Sequence, residues 1–226
     1  MPVNLARVLD RLEKHYGKLQ PVGPFDPYEM ILYTTCGYPA NDVTCPKGFQ
    51  ALEKLVGLAP DQILAASDKE LTNIMRLGGI VPEVRAQRLK EIASRVKRNF
   101  AGNLAAVLKA SVPEAKKALK QFPTIGDPGA EKILLFTGSA PIPAVPSGQL
   151  HVLHRLGFGQ EKKSYAAGYR SAQESLAAQI PADCAALQRA YLLLQHHGRE
   201  LCKRSQPRCQ DCPVTADCAY YAKTRS

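Results

Sequence analysis

The fold of this protein is decided by one stretch near the end of the chain, residues 197–218, which reads HGRELCKRSQPRCQDCPVTADC. Thiolate sulfurs at such close intervals can surround one metal centre. The pattern favours a [4Fe-4S] cluster over zinc, because zinc sites usually use two C-x2-C pairs and this stretch contains one. A metal-free set is the weakest alternative, since free thiolates this close together repel each other and oxidise. The predicted ligands follow the spacing C-x6-C-x2-C-x5-C and are Cys202, Cys209, Cys212 and Cys218.

A second motif lies upstream, where residues 122–126 read FPTIG. Predicted helices flank it, one from Pro113 to Phe122 and one from Ala130 to Phe136. A tight turn that opens a helix presents unpaired backbone N–H groups to an anion, and glycine lets a ligand come close to the backbone. The predicted binding residues of this turn are Thr124, Ile125, Gly126 and Gly129.

Composition restricts the class of protein. The 226 residues are 45% hydrophobic, which is ample for a packed core and argues against disorder. A formal charge of +10 suits a polyanionic partner, although a solubilising surface is the alternative. Seven cysteines, four of them clustered, do not suggest a disulfide framework. No apolar run is long enough to span a membrane, and we expect a soluble, intracellular monomer.

Helical periodicity dominates the rest of the chain, and period-two alternation is scarce. Residues 67–70, SDKE, have the form of a capping box, and the apolar residues of 84–100 recur on one helical face. We therefore predict an all-α fold. The other predicted helices cover residues 4–19, 149–156, 165–179 and 185–197.

Together these motifs resemble the endonuclease III family of helix-hairpin-helix DNA glycosylases. The cysteine spacing after His-Gly-Arg is that family's C-terminal signature, and residues 122–126 resemble its L-P-G-h-G turn. The resemblance implies a [4Fe-4S] cluster without a direct role in bond cleavage, and double-stranded DNA as partner, including lesion-containing duplex. It also implies that the loop between the first two cysteines meets the DNA backbone through Lys203, Arg204 and Arg208.

The resemblance further implies a split architecture. A six-helix domain would cover residues 25–140 and contain the hairpin at about 113–137. A cluster domain would combine residues 1–24 with 141–226. DNA would lie in the cleft between them, and a flipped base would enter that cleft.

Two departures concern catalysis. Bifunctional members of the family carry a lysine where this chain has Pro128, and proline cannot form a Schiff base with the sugar. Lys132 lies about one helical turn further on and would need a displaced substrate. The family's catalytic aspartate corresponds to Pro146, because Arg155, Leu156 and Gly157 set the register. We therefore predict no lysine-dependent lyase activity.

The catalytic residues stay open at this point. His151 can act as a general base at neutral pH, although a lone histidine is more often structural. The other weak candidates are Asp42, Ser147 and Gln149, and Asp42 has helix capping as its alternative role. Tyr38 occupies the loop where the family has a glutamine wedge and could stack on a base, with a core tyrosine as the alternative.

Three functions are compatible with these residues. The first is a monofunctional or atypical DNA glycosylase of base-excision repair that acts on a flipped base. The second is a catalytically silent protein that recognises damaged or distorted duplex. The third is a zinc-stabilised nucleic-acid module without a base pocket.

Overall fold

The structure is a computed structural model that describes residues 3–39 and 43–224. These residues form helices, turns and one isolated bridge between Tyr38 and Gly79, and they contain no strand, which confirms the all-α prediction. In chain order the helices are α1 Leu5–Tyr16, α2 Pro27–Thr35, α3 Thr44–Leu55, α4 Pro60–Ala65, α5 Asp68–Arg76, α6 Pro82–Phe100, α7 Val112–Leu119, α8 Asp127–Phe136, α9 Leu150–Leu156, α10 Tyr165–Ala177, α11 Cys184–Glu200 and α12 Ala219–Thr224.

The helices divide into two compact units. One comprises Met1–Pro21 with Leu134–Ser226, and the other comprises Val22–Ile133. The functional domain limits expected from the sequence, 25–140 and 1–24 with 141–226, stay a prediction.

The 22–133 unit is built around α6, which packs against α2, α4 and α5. The buried face of α6 carries Leu89, Ile92 and Val96, as the periodicity predicts. The predicted cap of α5 is present, since the Ser67 hydroxyl accepts a hydrogen bond from the Glu70 amide at 3.2 Å. Helix α6 also buries Arg85.

In the other unit, α1 packs lengthwise on α11. Its apolar stripe of Leu5, Val8, Leu9 and Leu12 is buried, and each such side chain contributes about 1.5–3 kcal/mol. Ion pairs add to this packing: Arg189 of α11 lies 2.8 Å from the Asp10 carboxylate and 2.9 Å from that of Glu13. No helix among the described residues is long and apolar enough to cross a membrane.

Candidate metal centre and nucleic-acid interface

One cavity in the unit that contains α11 is lined by all four predicted cysteine ligands. Two 3-10 turns, Cys209–Asp211 and Thr215–Asp217, fold the segment after α11 back on itself. The cavity opens to solvent, and the atom-free space in it and its mouth together is about 360 Å³. Over residues 3–39 and 43–224, no group of three or more His, Cys, Asp or Glu side chains is arranged to hold a metal ion. The four cysteines therefore share one cavity.

Arg155 of α9 connects this cavity with the loop that follows Cys202. Its guanidinium donates to the Lys203 and Arg204 carbonyls at 2.7 Å each, and Nη1 lies 3.5 Å from the Cys202 sulfur. The same guanidinium lies 4.9 Å from the centre of the Tyr220 ring. Arg155 thus ties a predicted ligand and the basic loop to α9.

His197 of α11 also lines the cavity, and each of its two ring nitrogens has a separate contact. The ring lies between the Tyr16 hydroxyl, 2.9 Å from Nδ1, and the Cys212 sulfur, 3.8 Å from Nε2. Burial, together with the nearby His15 and His196, lowers the pKa of His197 to about 4, so the imidazole is neutral at pH 7.

The basic loop presents its predicted contact residues unequally. Lys203 and Arg204 are exposed and make no ion pair within the part of the chain that the structure describes. Arg208 is also exposed, but its guanidinium pairs with the Asp211 carboxylate at 2.8 Å. Lys203 and Arg204 are therefore the readily available cations of this loop.

The predicted hairpin turn joins α7 to α8. Its apolar residues Phe122 and Ile125 are buried, so Ile125 has only its backbone to offer a ligand. Thr124 is exposed and adopts a left-handed backbone with φ of 71°, the conformation that glycine would take here without strain.

Two glycines complete this turn. A side chain added at Gly126 would meet only the Pro128 ring at 3.8 Å, so the backbone of Gly126 faces open space. Gly129 lies against the Ile125 side chain. As in any helix, the first N–H groups of α8 have no acceptor within the helix. The turn can therefore bind an anion through its backbone.

Charges beside this turn are balanced within α7 and α8. The Asp127 carboxylate lies 2.9 Å from Lys120 and 3.3 Å from Lys116. These lysines lower the pKa of Asp127, so the carboxylate stays ionised and its charge is balanced by theirs beside the turn. Lys116 also pairs with the buried Glu131.

Residues 146–151, which include Pro146 at the position of the family's aspartate, contain three of the catalytic candidates. Pro146 is buried, whereas Ser147 is exposed. His151 bonds through Nε2 to the Cys202 carbonyl at 2.8 Å, and the buried Gln149 Oε1 lies where a side chain on Gly198 would be. The observed contacts of His151 are structural. A catalytic role for any of these residues stays a prediction, and Asp42 lies outside the described residues.

Tyr38 occupies an exposed edge of the 22–133 unit. Its ring is 50% exposed, so it is not a core tyrosine. Its backbone exchanges hydrogen bonds with the turn after α5: Tyr38 N donates to Gly78 O at 2.9 Å, and Ile80 N donates to Tyr38 O at 3.0 Å. A side chain on Gly79 would strike the Tyr38 carbonyl at 2.1 Å, so this approach requires glycine.

Sequence reasoning missed the partner of Tyr38 on this edge. Ile80 is 59% exposed, and it belongs to an exposed apolar group. A possible signal was present, because Ile80 and Val81 are apolar residues between a glycine pair and Pro82. We name the exposed group Tyr38, Leu77, Ile80, Val81 and Val84 the apolar edge.

The buried side chain of Arg85 bonds to the backbone beneath the exposed side chains of the apolar edge. It is 2% exposed and donates to the carbonyls of Cys36, Ile80 and Gly79 at 2.8, 3.0 and 2.9 Å. It also bonds to the Met75 carbonyl. One buried guanidinium thus holds both backbone segments of the edge.

Comparison with known proteins agrees with this architecture. No family model matches the chain. Over 164 residues it is 27% identical to thymine-DNA glycosylase of Aeropyrum pernix, covering 72% of this chain and 69% of the relative. It is 21% identical to endonuclease III of Thermotoga maritima over 198 residues, which is 88% of this chain and 85% of the relative.

Solved structures share the fold. A non-covalent endonuclease III–DNA complex superposes with a TM-score of 0.77 at 19% identity, covering 98% of this chain and 96% of the other. A thermostable thymine-DNA glycosylase gives 0.72 at 17% identity, covering 97% of each chain. The fold is that of the helix-hairpin-helix DNA glycosylases. The sequence relatives confirm the resemblance to the endonuclease III-like family of these proteins.

Proposed function

We propose that this protein is a DNA-binding glycosylase of base-excision repair that cleaves the N-glycosidic bond of a flipped base without lysine-dependent lyase chemistry. The fold carries the proposal, because structures of the same fold include endonuclease III bound to DNA. The sequence relatives named thymine-DNA and thymine/uracil-DNA glycosylase support thymine or uracil as the first bases to test.

The cysteine cavity would hold a [4Fe-4S] cluster through Cys202, Cys209, Cys212 and Cys218. A four-iron cluster takes one thiolate at each corner and so needs thiols around a space, whereas zinc needs its ligands around one point. The fact that all four predicted ligands line one cavity supports the cluster. When bound, the cluster would cross-link the turns after α11 and thereby hold the Lys203–Arg204 loop, without taking part in bond cleavage.

Three surfaces would contact DNA. The backbone of Thr124, Gly126 and the start of α8 would bind a phosphate, because helix N-terminal N–H groups attract anions. The cations of Lys203 and Arg204 would neutralise phosphates and release counterions. The apolar edge would contact bases, since an exposed aromatic or branched side chain can replace stacking lost on base flipping.

Chemistry at the sugar would differ from that of the bifunctional members. Pro128 lies in the first turn of α8 and has no primary amine, so no Schiff base can form there. Lys132 lies further along the same helix. Pro146 offers no carboxylate to stabilise positive charge on the sugar. A water activated by another residue would be needed, and Ser147, Gln149 and His151 are the candidates in that segment.

Single-turnover assays on duplexes that contain mismatched thymine, uracil or other lesions would test the proposal. Product is read after alkali, which cleaves abasic sites, and we expect strand cleavage only after this treatment. Borohydride should trap no covalent adduct, and a strong adduct would contradict the absence of lyase chemistry. Pro146→Asp tests whether restoring the carboxylate raises the rate.

A catalytically silent DNA-binding protein is the second candidate, favoured by Pro128 and Pro146. Tight, salt-dependent binding with no product on any lesion would establish it and refute the enzyme. Excision by the unmodified protein would refute the silent binder.

A further inference from the structure

A polar chain runs from α1 to the cysteine cavity. Tyr16 is the last residue of α1, and its hydroxyl lies 2.9 Å from Nδ1 of His197. The ring of His197 is 1% exposed, and its Nε2 lies 3.8 Å from the Cys212 sulfur. Both nitrogens of a buried imidazole are therefore engaged, one by a hydroxyl and the other by a proposed cluster ligand.

The donor directions follow from the chemistry of the sulfur. A cysteine bound to iron is a thiolate, which has no proton and can only accept a hydrogen bond. A hydrogen must then lie on Nε2, since a lone pair facing the thiolate would repel it. Nδ1 becomes the acceptor, and the Tyr16 hydroxyl donates to it.

We propose that Tyr16 and His197 are positioning residues that raise the reduction potential of the cluster through a hydrogen bond to the Cys212 thiolate. This inference rests on the cluster proposed above. A donor to a ligand sulfur withdraws electron density from it and so stabilises the reduced state, which carries one more negative charge. The Tyr16 hydroxyl polarises the ring and makes Nε2–H a stronger donor.

The position of Tyr16 is itself fixed relative to the cysteines. Arg7 and Arg11 of α1 both bond to the Asp217 carboxylate, Arg11 at 2.7 Å, and Asp217 is buried beside Cys218. The first two turns of α1 are thus anchored to the cysteine segment, which restricts movement of the helix that carries Tyr16.

The test measures the midpoint potential of the purified, cluster-loaded full chain by mediated redox titration. Iron, acid-labile sulfide and the visible spectrum establish loading in each variant. We expect a lower potential in His197→Leu and a smaller decrease in Tyr16→Phe, which keeps the ring but removes the donor. His197→Gln retains an N–H donor and should restore much of the potential. Tyr165→Phe, in the same unit, is the control and should leave it unchanged.

The outcomes separate this inference from the cluster proposal. Fully loaded Tyr16→Phe and His197→Leu proteins with unchanged potential would overturn the inference while leaving the cluster in place. Unmodified protein without iron would overturn the cluster and the inference with it. If His197→Leu does not fold, the potential of Tyr16→Phe, a change at a half-buried position, tests the proposal by itself. A decrease in Tyr165→Phe equal to that in Tyr16→Phe would contradict the proposal.

Discussion

Arg85→Met should destabilise the protein strongly. The substitution keeps a flexible side chain of similar length but removes every hydrogen bond of a guanidinium that is 2% exposed. Four backbone carbonyls, those of Cys36, Met75, Gly79 and Ile80, would lose this donor. Leaving a buried acceptor unsatisfied costs about 1–3 kcal/mol, offset here because a charge no longer has to be desolvated.

Hydrogen bonds to a charged group contribute about 1.5–3 kcal/mol each, so the four lost bonds, less the recovered desolvation of the guanidinium, give an expected loss of about 3–5 kcal/mol. For a chain of this size each kcal/mol corresponds to about 2–4 °C, so the melting temperature should fall by about 6–20 °C. Urea and thermal unfolding followed by circular dichroism measure this loss. Amide hydrogen exchange at Tyr38 and Ile80 should accelerate, because the bonds that these amides donate, to Gly78 O and Tyr38 O, depend on the same support.

Arg98→Met is the matched control. It makes the same chemical change on an exposed position of α6 and should alter stability by no more than about 0.5 kcal/mol. Equal losses in the two variants, or a loss below about 1 kcal/mol in Arg85→Met, would refute the idea that one guanidinium holds the apolar edge.

Four further substitutions test the sites separately. Thr124→Gly should stabilise the protein by about 0.5–1 kcal/mol in urea unfolding, because relief of left-handed strain exceeds the added backbone entropy of glycine. Lys203→Ala and Arg204→Ala should each reduce the slope of log affinity against log salt by about 0.9 in DNA titrations. Lys116→Met should cost about 1–3 kcal/mol of unfolding free energy, because Glu131 is 3% exposed and loses the lysine it pairs with.

Each of these substitutions has a control variant. Thr124→Ala keeps the Cβ atom and should give no stabilisation, so equal gains in both variants would contradict the strain argument. Arg208→Ala should change the salt slope less than Arg204→Ala, since Asp211 already neutralises it. Lys117→Met, an exposed neighbour on α7, should be nearly neutral, and a loss equal to that of Lys116→Met would remove the role of Glu131.

Local sequence was sufficient for much of the fold. The apolar stripes of α1 and α6 and the Ser67 cap are set by side chains a few residues apart, so their periodicity predicts them directly. The boundaries differ slightly from the prediction. The helix predicted at 4–19 is Leu5–Tyr16, with Gly17 as its C-cap, and the one predicted at 84–100 begins at Pro82. The cysteine spacing likewise indicated a common centre, because it is confined to one short segment.

The tertiary structure decided which of those residues are available for function. Arg85 belongs to a basic stretch of sequence, yet long-range packing buries it beneath the apolar edge. Arg208 pairs with Asp211, whereas Arg204 makes no ion pair among residues 3–39 and 43–224. The same holds for Ile80, exposed beside Tyr38, and for His197, held between Tyr16 and Cys212. The spacing of like residues along the chain specifies a helix face or a ligand set, but burial and pairing depend on segments far apart in sequence. Only the folded chain brings those segments together.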